Sequence, residues 1–302
     1  MMTLIRYRKL TYIFSGTLVL LSLIALLVWH LKLGIDFTGG SLIEIEYRSD
    51  RPSLDELNKD LVGSGFHTEI QPTEARGVFI RTQSLMEPEH QALLFALSHG
   101  DKNLFTEKKF DSIGPTIGAE LARKSVYAIF LVILLIVLYI AFVFRKVSEP
   151  VASWKYGIAT VIALIHDVMI PVGVFTVLGH FFGFEADTLF VTALLTILGF
   201  SVHDTIVVFD RIRENLKIGN RNQSFEDIVG RSISQTITRS INTSMTVLLV
   251  LFGVYFFGGE SVKTFALTLI IGIFFGTYSS IFLASPLLVT WHGLITRRGR
   301  RL

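Results

Sequence analysis

Ionisable side chains interrupt apolar blocks at three places in this sequence. His166-Asp167 stands near the middle of one block, His203-Asp204 lies about one and a half turns from the end of the next, and Arg239 opens a third. A charge at the centre of a bilayer costs about 2.5–3.5 kcal/mol on insertion scales, so such groups mark ion or proton paths. Asp204 has Phe200 and Ser201 at i−4 and i−3, and Val207 and Val208 at i+3 and i+4. No basic residue on its own helix can reach it. Its partner must come from another helix, and Arg239 falls at a similar depth. Two readings are open. A carboxylate that gains and loses an arginine as helices move would load and release a proton, because an apolar site favours the neutral acid and a guanidinium the anion. A static buried ion pair would instead lock the bundle.

The neighbouring candidates support other chemistry less well. Pro171 cannot donate to the carbonyl four residues back, which belongs to Asp167, so that residue offers both a carboxylate and a freed carbonyl at an expected kink eased by Gly173. Ala159, Ala163 and Asp167 continue one small-residue face that another helix can approach. His166 and His203 lack a third ligand at a defined spacing, so no metal site is expected. Asp210, Arg211, Arg213 and Glu214 form two i, i+3 pairs suited to interfacial salt bridges. Two aspartates in neighbouring blocks also raise an intramembrane aspartyl protease. That class presents Tyr-Asp and Gly-x-Gly-Asp, whereas these residues sit in Leu164-Ile165-His166-Asp167 and Val202-His203-Asp204. The chain is expected to be no enzyme and to need no cofactor.

Positioning these groups falls to helices that cross a membrane. Of 302 residues 51% are hydrophobic and only 18% charged, below the roughly 25% of a soluble domain, and the mean hydropathy is +0.55. The apolar content is gathered into blocks at 11–31, 125–144, 157–178, 188–209, 240–257 and 264–291, each near the ~20 residues that span a hydrocarbon core. The first block is too long for a signal-peptide core and is followed by bulky Trp29-His30-Leu31 rather than a small-residue cleavage site, so a retained anchor is expected. Basic residues flank the blocks on one side: Arg6, Arg8 and Lys9; Arg145, Lys146 and Lys155; Arg211 through Arg239; and Arg297 to Arg301. The short loops opposite hold Lys263 beside Glu185, Asp187 and Glu260. This asymmetry predicts both termini on the cytoplasmic side and argues against a nucleic-acid surface. Gly272, Gly276, Ser280 and Ala284 form an i+4 ladder for close helix packing in the sixth block. Asn242, Thr243, Ser244 and Thr246 make the fifth block polar where it begins, as either a hydrated crevice or ordinary interhelical hydrogen bonds would require.

Between the first two blocks a small α+β domain is expected. A strand over Ser41–Tyr47 alternates apolar and acidic residues, and Ser53 with Glu56 forms a capping box for a helix that stops at Gly63-Ser64-Gly65. Strands near Phe66–Gln71 and Val78–Thr82, a helix from Pro88 to about Gly100 and a strand at Asn103–Asp111 complete a βαββαβ order. That order predicts a ferredoxin-like domain. The resulting layout is 1–32 as cytoplasmic start and first crossing, 33–120 as the extracytoplasmic domain, and 121–302 as five further crossings with a cytoplasmic end.

Several strings, in order from residue 34 to about 289, resemble the SecD/SecF family of bacterial protein-export membrane proteins. They are Gly34-Ile35-Asp36-Phe37-Thr38-Gly39-Gly40, Asp111-Ser112-Ile113-Gly114-Pro115, His166-Asp167, Ser201 through Asn215, Thr238-Arg239-Ser240 and Gly276-Thr277-Tyr278-Ser279-Ser280-Ile281. The absence of a second six-span half and of a large extracytoplasmic head is similar to the SecF branch. The resemblance implies a half-bundle of the resistance–nodulation–division (RND) superfamily in the bacterial plasma membrane. It implies an accessory subunit of the Sec translocase that pairs with SecD, associates with the SecYEG channel and YidC, and uses the proton-motive force to draw preproteins across. On that resemblance Asp204 matches the family's proton-coupling aspartate and Arg239 its arginine, while Asp167, His166 and His203 are possible supports. A further proton-path aspartate belongs to SecD, and His203 stands where several members have asparagine. A self-sufficient small-molecule exporter and a purely structural stabiliser of the translocon are the alternatives.

Overall fold

The computed structural model describes residues 5–63, 67–73, 76–99, 101, 104–145, 152–218 and 223–299. Ser64, Gly65, Phe66, Gly100, Asn103, Lys146 and Arg301, named above, and Arg221 and Arg300 of the basic clusters, lie outside them. The chain divides into two compact units. One is Leu33–Val126 with Glu185–Thr188, and the other is the remainder.

The smaller unit opens on a one-turn helix, α2 (Ile35–Thr38), that the periodicity did not predict, because it lies within a signature rich in glycine. Strand β1 (Gly40–Tyr47), helix α3 (Leu54–Gly63), strands β2 (Thr68–Thr73) and β3 (Gly77–Thr82), helix α4 (Glu87–Ser98) and strand β4 (Phe105–Ile113) follow. All neighbours in the four-stranded sheet are antiparallel and the order is β2-β3-β1-β4, the ferredoxin-like arrangement that the element order predicted. The capping box forms, with the Glu56 amide donating to Ser53 Oγ at 3.3 Å and the Ser53 amide donating to Glu56 Oε2 at 3.0 Å. Alternation in β1 and β3 turns Ile43, Ile45, Tyr47, Val78 and Ile80 onto Leu57, Leu61, Leu93 and Leu97 of the two helices.

The larger unit holds the membrane helices: α1 (Arg8–Trp29), α5 (Pro115–Val143), which begins in the smaller unit, α6 (Ser153–Phe182), α7 (Thr188–Ile218) and α8 (Phe225–Phe257). The sixth crossing is made of α9 (Glu260–Ser279), a π-helical turn (Ser280–Ala284) and α10 (Ser285–Gly299). Among the described residues six helices are thus long and apolar enough to span a bilayer. Pro171 sits inside α6 without ending it. Helix α8 starts fifteen residues before the expected block because Ser224 caps it, its Oγ accepting from the Asp227 amide at 3.1 Å, and because Ile228, Val229 and Ile233 are buried along its first turns. The core joins Ala159, Ala163 and Leu164 of α6 to Leu198, Val208 and Phe209 of α7 and to Ile281 and Leu288 of the sixth crossing.

Tyr47 packs edge-on against Phe105 at 5.5 Å between centroids, and its buried hydroxyl has no hydrogen-bond partner among the described residues. Burial pushes this phenol up to about 12, with the Asp60 carboxylate adding to the shift. Because the folded value lies above the ordinary 10.0, the tyrosine's contribution is full below about pH 10 and is lost as pH climbs toward about 12. In Tyr47→Phe the late-ionising phenol should vanish from the alkaline absorbance titration. Its melting temperature should also fall less than that of the parent across this pH window.

Candidate functional site

Asp167 is completely buried on α6. A carboxylate so placed needs its oxygens met by donors. Ser201 Oγ of α7 donates to Oδ2 at 2.5 Å and Ser279 Oγ of α9 donates to the same oxygen at 2.8 Å. His166 Nδ1 lies 2.8 Å from Oδ1. The imidazole packs between Phe275 and Tyr278, at centroid distances of 6.2 and 6.1 Å, and its buried Nε2 has no partner among the described residues. Three helices therefore converge on one carboxylate, directly beside the π turn of the sixth crossing, a local register change frequent at functional sites.

The small residues of that crossing face α7. A β-carbon at Gly272 would collide with Ile197, and one at Gly276 would lie 3.3 Å from Ser201 Cβ and 3.8 Å from Asp167 Oδ2. Ser280 Oγ shares a 2.8 Å hydrogen bond with Thr205 Oγ1.

Asp204, 5% exposed, is met on one side only. Ser240 Oγ of α8 donates to Oδ1 at 2.6 Å, while the buried Oδ2 has no partner among the described residues. The expected contact with Arg239 is not the one formed. Ser240 faces α7, and the preceding residue is turned by about 100° around the helix, which puts Arg239 on the exposed flank within electrostatic reach of Asp204 and not in an ion pair with it. The same rotation puts His203 on the exposed side of α7 while Asp204 points inward. The interfacial pairs do form: Arg211 with Glu214 at 2.7 Å, and Arg213 with Asp210. Among the described residues no three His, Asp or Glu side chains gather closely enough to hold a metal ion.

The hydroxyls around these carboxylates were the part that spacing missed. Ser201, Ser240 and Ser279 lie in strings that the sequence singled out for other residues, and only their position opposite an aspartate on another helix gives them a role. Ser244 of α8, whose Oγ shares a 2.5 Å hydrogen bond with Thr277 Oγ1 of α9, belongs to the polar stretch for which two readings were open.

The arrangement of six crossings, a split ferredoxin-like domain and buried carboxylates can be compared with known proteins. Residues 96–294 match the family model for the protein export membrane protein SecD/SecF, C-terminal, and residues 24–50 match that for the SecD/SecF GG motif. The chain belongs to the SecD/SecF family. The protein translocase subunit SecF of Thermobaculum terrenum is 46% identical over 96% of this chain and 94% of its own length, and that of Anaerolinea thermophila 37% identical over the same shares. The SecDF protein of Thermus thermophilus, a translocase subunit as well, is 36% identical over 93% of this chain but 37% of its own length. The crystal structure of SecDF, a translocon-associated membrane protein from that organism, superposes with a TM-score of 0.82 at 33% identity, covering 96% of this chain and 38% of that one. A SecDF structure in a super-membrane-facing form gives 0.67 at 32% identity. The SecD/SecF chain described here is accordingly a multi-pass membrane protein and a Sec protein translocase subunit, a transport role.

The family's glycine signature has a physical basis in this SecD/SecF chain. Gly39 and Gly40 adopt φ of 74° and 126°, and β-carbons there would lie 2.7 Å from Pro115 Cα and 2.8 Å from Thr82 O. The Gly34 amide donates to Ala186 O at 2.8 Å. Asp36 Oδ2 accepts from the Thr188 amide at 2.8 Å and from Thr188 Oγ1 at 2.5 Å, and so caps the first turn of α7. Gly39→Ala should therefore destabilise by about 1–3 kcal/mol through backbone strain alone, with steric overlap added, and Asp36→Ala by about 1 kcal/mol through the lost cap. Thermal unfolding in detergent, with Gly114→Ala at an uncrowded position as the control, measures both.

Proposed function

We propose that this chain is the SecF-type subunit that works with SecD to couple the proton-motive force to preprotein movement through the Sec translocase. The reading rests first on Asp204, a buried membrane carboxylate with one oxygen held by Ser240 and the other unmet. A group held by a single hydroxyl can change protonation without dismantling a network, whereas at Asp167 a change would disturb contacts with Ser201, Ser279 and His166 on three helices. Asp204 is thus assigned the proton-carrying role and Asp167, with His166, the role of an anchor that supports it. Arg239, unpaired with Asp204 in this arrangement, is the charge that would meet the carboxylate in another. His203, on the exposed side of α7, has no such part.

Partnership with SecD is supported by the Thermus thermophilus relative, whose name joins the two subunits in one chain about two and a half times as long. SecYEG, YidC and the emerging preprotein are the further partners in this reading. The basic residues beside the spans support cytoplasmic termini; in this reading the membrane is the bacterial plasma membrane and residues 33–120 lie on its outer side, where a moving preprotein emerges.

Asp204→Asn keeps the shape and the Ser240 contact but cannot carry a proton. It should abolish the proton-motive-force dependence of preprotein export while the variant still assembles with its SecD partner, read by protease protection of an exported substrate and by copurification. Export that remains fully dependent on the proton-motive force in this variant sinks the reading. Asp167→Asn is expected instead to lower the yield of folded protein.

A further inference from the structure

The buried hydroxyls on α8 form a series that the role of Asp204 leaves unexplained. Ser232, Thr236, Ser240 and Ser244 recur every four residues, so they share one face of the helix, and all four are buried. Back-bonding of serine and threonine to the carbonyl four residues earlier is common in membrane helices. Ser232, Thr236 and Ser244 do this, to Ile228, Ser232 and Ser240 at 2.8, 3.0 and 2.9 Å. Ser240 does something else: its hydrogen goes to Asp204 Oδ1. At the other end Ser232 Oγ accepts from Asn215 Nδ2 at 2.8 Å. The Asn215 amide also donates to Gln235 Oε1 at 2.9 Å, which takes a further bond from Arg211 at 2.8 Å, and Gln235 is exposed. Eight residues of helix separate Ser232 from Ser240, about 12 Å at 1.5 Å per residue. The series thus places one buried hydroxyl on each turn of α8 between an exposed polar cluster and the carboxylate whose Oδ2 has no partner among the described residues. His203, Arg239 and Asp167 are the other ionisable groups within electrostatic reach of Asp204, and none of them lies on this face of α8.

We propose that the Ser232–Thr236–Ser240 ladder is the path along which Asp204 exchanges protons with the aqueous phase at Asn215 and Gln235. Protonated Asp204 gives its proton to a water at Oδ2, leaving carboxylate and hydronium. The excess proton passes along waters held by the free lone pairs of Thr236 and Ser232 and leaves at the Asn215 cluster, and a proton arriving from that side retraces the same steps. This rests on the proton-carrying reading of Asp204 above, and the test separates the two.

The full chain in liposomes, transferred from H2O to D2O, would be followed by infrared spectroscopy. The carboxylic-acid C=O stretch of Asp204 is identified as the band missing from Asp204→Asn, and its deuterium shift reports proton exchange at that group. Thr236→Val, which keeps the shape and removes the hydroxyl, and Ser232→Ala should each slow this exchange roughly tenfold or more. Thr236→Ser should restore it, which a merely structural role for the threonine would not do. Unchanged exchange in the Thr236→Val, Ser232→Ala double variant overturns the path while leaving the carrier role of Asp204 intact. Absence of the band from the parent at every pH where the chain is folded overturns both.

Discussion

A carboxylate with no access to water must have its oxygens met by donors, and the burial of Asp167 imposes that demand on the middle of the bundle. Ser201 and Ser279 come from α7 and α9, so both helices must approach α6 closely enough for hydroxyls to reach its surface. Gly272 and Gly276 follow from this requirement, since a β-carbon at either would press on Ile197 or on the Ser201 and Asp167 pair. The π turn at Ser280–Ala284 follows it too in position: Ser285 donates to Ser280 O across five residues at 2.9 Å, and Ser280 is turned toward Thr205. Small residues, hydroxyls and a local change of helical register are all arranged about one buried aspartate.

Asp204 lies one turn further along α7 from Ser201 and is treated differently. Its single hydroxyl partner leaves it at the end of a polar series and not at the centre of a network. In a medium without water, an unmet carboxylate oxygen is costly. The contrast between a saturated aspartate and a half-satisfied one, on adjacent helices, is what the proposed division between an anchor and a proton carrier rests on.

The smaller unit obeys a more local rule. Its sheet and two helices follow from alternation in β1 and β3 and from helix caps, whereas the glycine signature before it answers to backbone geometry. Two positive φ angles and approaches under 3 Å to Pro115 and Thr82 admit no side chain at Gly39 or Gly40. Asp36 belongs to the same segment and caps a helix that begins about 150 residues later.

Much of this was legible in the residues themselves. Hydrophobic blocks of spanning length, a βαββαβ alternation and paired capping residues are local properties, and each is written in contiguous sequence. The rarity of charge in lipid also singled out Asp167 and Asp204 without any coordinates. Partner choice was a different matter, because it depends on the rotation of one helix against another. One residue of offset, about 100°, exchanges Arg239 for Ser240 at Asp204 and turns His203 outward while its neighbour faces in. A run of serines and threonines in an apolar helix reads the same whether it bonds its own backbone or a carboxylate across the bundle. The six crossings, the small α+β domain and the burial of these acids in the membrane all follow from contiguous stretches of residues. Which hydroxyls meet the acids follows from the fold, because the azimuth of each helix is set by the packing of all of its neighbours together.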